Sequence, residues 1–65
     1  MPTIRLAVPP KAWTKEEKSK LIGALTDTLT QVAADCGKGD LRQFVAVQID
    51  ETAEGGYAIG GQVLG

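Results

Sequence analysis

The chain has no histidine and a single cysteine, Cys36. Without an imidazole there is no histidine acid or base, no Ser-His or Cys-His nucleophile pair, and none of the usual zinc ligand sets. One cysteine rules out an internal disulfide. Charge of one sign is lacking as well: seven basic residues stand against eight acidic ones, for a net charge of -1. That balance argues against a nucleic-acid footprint or an anionic membrane surface as the partner. No apolar run approaches the ~20 residues of a membrane span. The first ten residues lack the apolar core of a signal peptide, so the expected location is cytoplasmic. No cofactor or metal is expected.

Length adds a further shortage. A chain of 65 residues makes one domain, here residues 1–65, and a domain of that size buries only about 60% of the surface its unfolded chain exposes. With no disulfide and no metal to compensate, the remaining source of stability is oligomerisation.

The order of elements is strand, helix, strand and glycine-rich tail. From Thr3 to Val8 the residues alternate, with Ile4, Leu6 and Val8 on one face and Thr3, Arg5 and Ala7 on the other, which predicts a strand with one face in a core. Pro9-Pro10 ends it. Thr14 followed by Glu17 is a capping box, and Glu16 and Glu17 suit the positive end of a helix dipole, so a helix starts near Lys15. Leu21, Ile22, Leu25, Leu29, Val32, Ala33 and Cys36 fall on one side of it, opposite Glu16, Ser19, Lys20, Gly23, Asp27 and Thr30. In that stripe Cys36 reads as a small buried hydrophobe at the helix end. Gly37 is placed as a C-cap and Gly37 to Asp40 as a turn. A second strand is predicted over Phe44 to Ile49, and the helical crossover before it predicts a parallel, right-handed pairing with the first. Gly55-Gly56-Tyr57-Ala58-Ile59-Gly60-Gly61 reads as a tight hairpin reaching a neighbouring subunit. Two strands under one helix leave open edges and an uncovered face, which again points to self-association.

Pro2 is the candidate for chemistry, although a Met-Pro start is also common in proteins with no catalytic use for it. Methionine aminopeptidases clear methionine readily from small second residues, and removal of Met1 would expose a secondary amine. An α-amino group titrates near ~8 and burial lowers that value, so a proline nitrogen in an apolar recess is a neutral general base near physiological pH. A retained Met1 would make the same nitrogen an amide and abolish the role.

Pro2 opening a strand, the helix beginning at Thr14 and the segment from Glu54 to Gly61, EGGYAIGG, together resemble the 4-oxalocrotonate tautomerase family over nearly the whole chain. The resemblance implies an α+β fold: a β-α-β protomer with a C-terminal glycine-rich β-hairpin, dimerising into a four-stranded sheet backed by two helices. Three such dimers would make a homohexamer. It implies a cofactor-independent isomerase in which Pro2 moves a proton between oxygen and carbon of a small unsaturated 2-oxo or 2-hydroxy carboxylate. Cations would hold the carboxylate, and Tyr57 would wall the site.

Two departures from the family pattern bear on the cations. The loop after the first strand, PPKAW, is longer by about two residues and offers Lys11 as its only cation, a point charge rather than an arginine fork. The family's second arginine aligns with Ala46. Arg42, just before the second strand, and Arg5, within the first, are the other candidates, and substrate binding is therefore assigned to Lys11, Arg42 and Tyr57. Trp13 is a packing contact or a lid. Two alternatives stay open: a hydratase or dehalogenase on the same scaffold, with Glu51 the acidic candidate, and a non-catalytic structural or binding subunit of an oligomer, possibly a mixed one, which Ala46 favours.

Overall fold

A computed structural model describes all 65 residues. Its elements are β1 (Thr3–Val8), α1 (Lys15–Asp35), a 3-10 turn (Arg42–Phe44), β2 (Ala46–Glu51), β3 (Ala58–Ile59) and β4 (Gln62–Val63). β1 and β2 pair in parallel, running from Thr3 beside Ala46 to Val8 beside Glu51. β3 and β4 form a separate antiparallel hairpin. The chain is thus a small α+β fold, a β-α-β unit followed by a hairpin.

The helix starts where its cap dictates. The Thr14 hydroxyl accepts from the Glu17 N–H at 3.1 Å, and the Glu17 carboxylate accepts from the Thr14 N–H at 2.8 Å, so two donors that would otherwise lack partners are satisfied reciprocally. At the other end Gly37 N–H donates to Ala34 C=O and Lys38 N–H to Ala33 C=O. This crossed pair is a Schellman end, and it needs a residue in the left-handed region, which Gly37 supplies at φ +76°.

The second strand begins two residues later than Phe44 and runs on to Glu51. The Asp40 carboxylate accepts from Arg42 N–H at 3.1 Å, and Phe44 and Val45 N–H donate to Leu41 and Arg42 C=O. Those local bonds hold Phe44 in a tight turn, although its side chain type favours a strand. Asp50 and Glu51 join the ladder because Ala7 and Val8 of β1 are there to pair with them. The hairpin turns at Gly60-Gly61, both at positive φ (+59° and +83°), the geometry of a two-residue mirror-image turn.

Burial is scarce. Val8 and Ala33 are the two buried residues, while Leu21, Leu25 and Leu29 are half-buried. Ile22 and Val32 of the predicted helix stripe stay exposed. Cys36 is exposed too, a correction to its expected burial: it is the residue after the last helical one, where the Schellman turn takes the chain out of the helix and off its apolar stripe. The sheet alternation holds in β1, with Thr3, Arg5 and Ala7 exposed and Ile4, Leu6 and Val8 progressively covered.

The molecule measures 43 × 26 × 15 Å with a radius of gyration of 14.6 Å, against about 11 Å for a compact chain of this length. Its accessible surface is 4823 Å², where a compact protein of this mass exposes roughly 3,950 Å². The projecting hairpin accounts for the shape, and Ile59, Val63 and Leu64 on it are all more than half exposed. No helix is long and apolar enough to cross a membrane.

Because one hydroxyl and one carboxylate define where α1 begins, Thr14→Ala is expected to lower stability by about 1 kcal/mol, a fall of about 4–8 °C in Tm for a domain of this size, with Thr14→Ser restoring most of it. Thermal unfolding followed by circular dichroism measures this.

Candidate active site

Pro2 stands at the head of β1, half-buried. Its carbonyl accepts from the Ala46 N–H at 3.0 Å, so the sheet ladder extends one residue before the strand and fixes the proline backbone against β2. Met1 ahead of it is 91% exposed. The residue facing this end of β1 across the ladder is Ala46, which presents a methyl group and no charge. The position of Arg42 is close in sequence to Ala46, but its guanidinium is committed elsewhere: Nη1 lies 2.6 Å from Asp27 Oδ1 on α1. Arg5 points across β2 and meets Asp50 at 3.9 Å, largely exposed.

Lys11 lies at the other end of β1. Six strand residues separate it from Pro2's end of the sheet, a span of about 20 Å at ~3.3 Å per residue. Within one chain Pro2 and Lys11 are therefore not brought together. Lys11 instead lines a cavity of about 260 Å³ with Pro10, Glu54 and Gly65. Gly65 packs against the two prolines so closely that a β-carbon there would lie 3.0 Å from Pro9 Cβ. Glu54 occupies a corner of the turn closed by Gly56 N–H donating to Ala53 C=O at 2.8 Å, with Gly55 at φ +76°.

The backbone of Lys11 is unusual. It is the one non-glycine residue in the left-handed region, at φ +61°, a conformation that costs a side-chain-bearing residue on the order of 1–2 kcal/mol. Its N–H donates to Glu51 Oε2 at 3.3 Å. The other oxygen of that carboxylate, Oε1, lies 3.2 Å from Lys18 Nζ on α1. The hydrogen bond from Lys18, then the one from the Lys11 N–H, then the charge of Lys18 hold the Glu51 carboxyl below its ordinary value of 4.5.

Tyr57 is half-buried just before β3, and its carbonyl accepts from Leu64 N–H at 2.7 Å. The hairpin that carries it leaves from the Lys11 end of the sheet, since Thr52 N–H still bonds Val8 C=O. Trp13 is exposed beside the helix cap and lines no cavity.

The structure thus splits the sequence-derived candidates: Pro2 and Arg42 toward one end of the sheet, Lys11 at the other, with Tyr57 on the arm beyond it. Sequence reasoning missed Lys18 and Glu54, and it named Glu51 for a different task. A carboxylate closing a strand opposite a lysine one turn into the preceding helix was the available signal. No family model, no curated protein and no solved structure matches the chain.

The Glu51 cluster gives a pH prediction. A carboxyl depressed in the folded state contributes stability that is fully present above its unfolded value of 4.5 and is lost as pH falls through the lower folded value. In Lys18→Met the Glu51 titration should move up toward 4.5 and the acid limb of a pH-stability profile should lose part of its slope. Carboxyl carbon NMR and urea melts between neutral and acid pH read both.

Proposed function

We propose that this chain is a cofactor-independent tautomerase that uses the Pro2 amine as general base and acid on a small unsaturated 2-oxo or 2-hydroxy carboxylate. The observation that carries the reading is the tie from the Pro2 carbonyl to Ala46 N–H. It seats the second residue rigidly in the sheet, so that removal of the exposed Met1 would leave a secondary amine held at a strand's first position. The order of elements, ending in the hairpin of β3 and β4, supports the resemblance to the 4-oxalocrotonate tautomerase family. In this reading the nitrogen takes the enol hydroxyl proton while the electron pair moves through the conjugated system, and the same proton returns to carbon. Nothing is gained or lost overall, which is why no cofactor is needed.

Self-association belongs to the reading. Pro2 and Lys11 sit at opposite ends of β1, so a site using both must draw them from different chains. Both strands of the two-stranded sheet are edges. The accessible surface exceeds that of a compact protein of this mass by roughly 900 Å², close to the ~800 Å² each partner contributes to a standard interface. A homohexamer built as a trimer of dimers is the assembly we infer, acting in the cytoplasm. The apparent Tm should then rise with protein concentration, by mass action, and light scattering should report a mass several times that of the 6.8 kDa chain. A concentration-independent monomer would overturn this.

One observation favours a second reading. Ala46 puts no cation beside Pro2, as expected of a structural or binding subunit whose partner chain carries the charges. Ketonisation of phenylenolpyruvate, followed by ultraviolet absorbance, decides between them. The tautomerase reading expects Pro2→Ala to lose at least ~100-fold in kcat/KM, the lower range of general-base contributions, and intact mass to show Met1 removed. Equal rates in the two proteins, or a retained Met1, would leave the subunit reading.

A further inference from the structure

Lys11 combines three features that no other residue of the chain shares: a left-handed backbone on a side-chain-bearing residue, a place in the wall of the cavity, and an ammonium with no ion-pair partner. A strained backbone persists only where its surroundings over-determine it. The surroundings here are the rigid Pro9-Pro10 pair before it and the Glu51 carboxylate, which takes the Lys11 N–H on one oxygen and the Lys18 ammonium on the other. One side chain at the end of β2 therefore ties the β1–α1 loop to the helix. Pairing with Lys18 also occupies Glu51, so the carboxylate that holds the Lys11 backbone does not consume the Lys11 charge.

We propose that Glu51 is a positioning residue for carboxylate binding: by holding Lys11 in its left-handed conformation it sets the Lys11 ammonium at the cavity, where the ammonium receives the carboxylate of a 2-oxo or 2-hydroxy acid. The inference deepens the tautomerase reading and rests on it for the substrate class. Glu54, which lines the same cavity and is also without an ion-pair partner, disfavours a second carboxylate on the ligand and accepts from its hydroxyl. The site accordingly takes monocarboxylates bearing a hydroxyl in preference to dicarboxylates.

The groups facing Glu51 are Lys18 from α1, the Lys11 N–H from the loop and uncharged Val8 from β1; Glu54 lines the cavity with Lys11. Titration of the Lys11 amide therefore reports on Glu51. In a nitrogen-proton correlation spectrum the wild-type Lys11 amide should shift as pH falls below 4.5, and Glu51→Gln, which keeps an acceptor oxygen but cannot ionise, should lack the step. Pyruvate is the binding probe. Losing the positioned state for most of the time weakens apparent affinity in proportion to the population lost, so Glu51→Ala should bind pyruvate about 5- to 10-fold more weakly, with Glu51→Gln closer to wild type. Lys11→Met should abolish the effect of pyruvate on this region, and adding Glu51→Ala to it should change nothing further. In turnover of phenylenolpyruvate the same Glu51→Ala loss should fall on KM and leave kcat within about twofold.

A Lys11 amide indifferent to acid in the wild type would overturn the positioning role, whatever the enzyme does. Pyruvate binding equally to wild type, Glu51→Ala and Lys11→Met, or to none of them, would overturn the carboxylate site. Failure of the tautomerase reading shows separately, as absent turnover with the amide step and pyruvate binding intact.

Discussion

One helix covers one face of two strands, and the rest of this structure follows from that limit. A β-α-β unit alone cannot enclose a core: side chains that alternate correctly along β1 still end with Val8 as the single buried strand residue, matched by Ala33 on the helix. Stability then rests on local devices. The reciprocal cap at Thr14, the Schellman end at Gly37 and the carboxylate tie at Glu51 each satisfy polar groups that packing does not reach. Exposed hydrophobes on the hairpin and on α1 are the other face of the same limit, and they underlie the proposal that copies of the chain complete one another.

Much of the fold could be read from the residues because its signals are short-range. Alternation gave β1 with its limits, the Thr14 and Glu17 pair gave the start of α1, and the glycine-rich run from Gly55 to Gly61 gave a hairpin but not its corner, which the structure puts at Gly60-Gly61 with the second limb beyond the run. Parallel pairing followed from the length of the crossover. The second strand was displaced because Asp40 and Leu41 bind the backbone ahead of Phe44 into a turn, and pattern alone does not reveal which of two local hydrogen-bonding schemes wins. Cys36 differs for a related reason: spacing places it on the apolar stripe, yet it is the cap residue at which the chain leaves the helix.

The candidate site was less legible. Pro2 was marked by its own chemistry, and its backbone tie to Ala46 is what alternation implies one residue earlier. The Lys11, Glu51 and Lys18 cluster joins three elements separated by up to 40 positions, and no periodicity couples them. Left-handed backbone on a lysine is equally invisible, since the residue type gives no sign of it and the two prolines before it allow several exits. Arg42 shows the converse, a cation well placed in sequence whose partner, Asp27, comes from a helix turn with no evident relation to it.

The corner at Gly60-Gly61 sets how the projecting arm can change over evolution. With both corner positions in mirror-image geometry, a side chain at either one strains the bend. A longer or shorter finger that keeps this turn and the outward and inward sides of both limbs is then reached by adding or deleting two residues on each limb together, because a change of one exchanges hydrogen-bonded and non-hydrogen-bonded pairs and turns every side chain over. Such arms should differ among descendants in steps of four, while the doubled glycine stays at the tip.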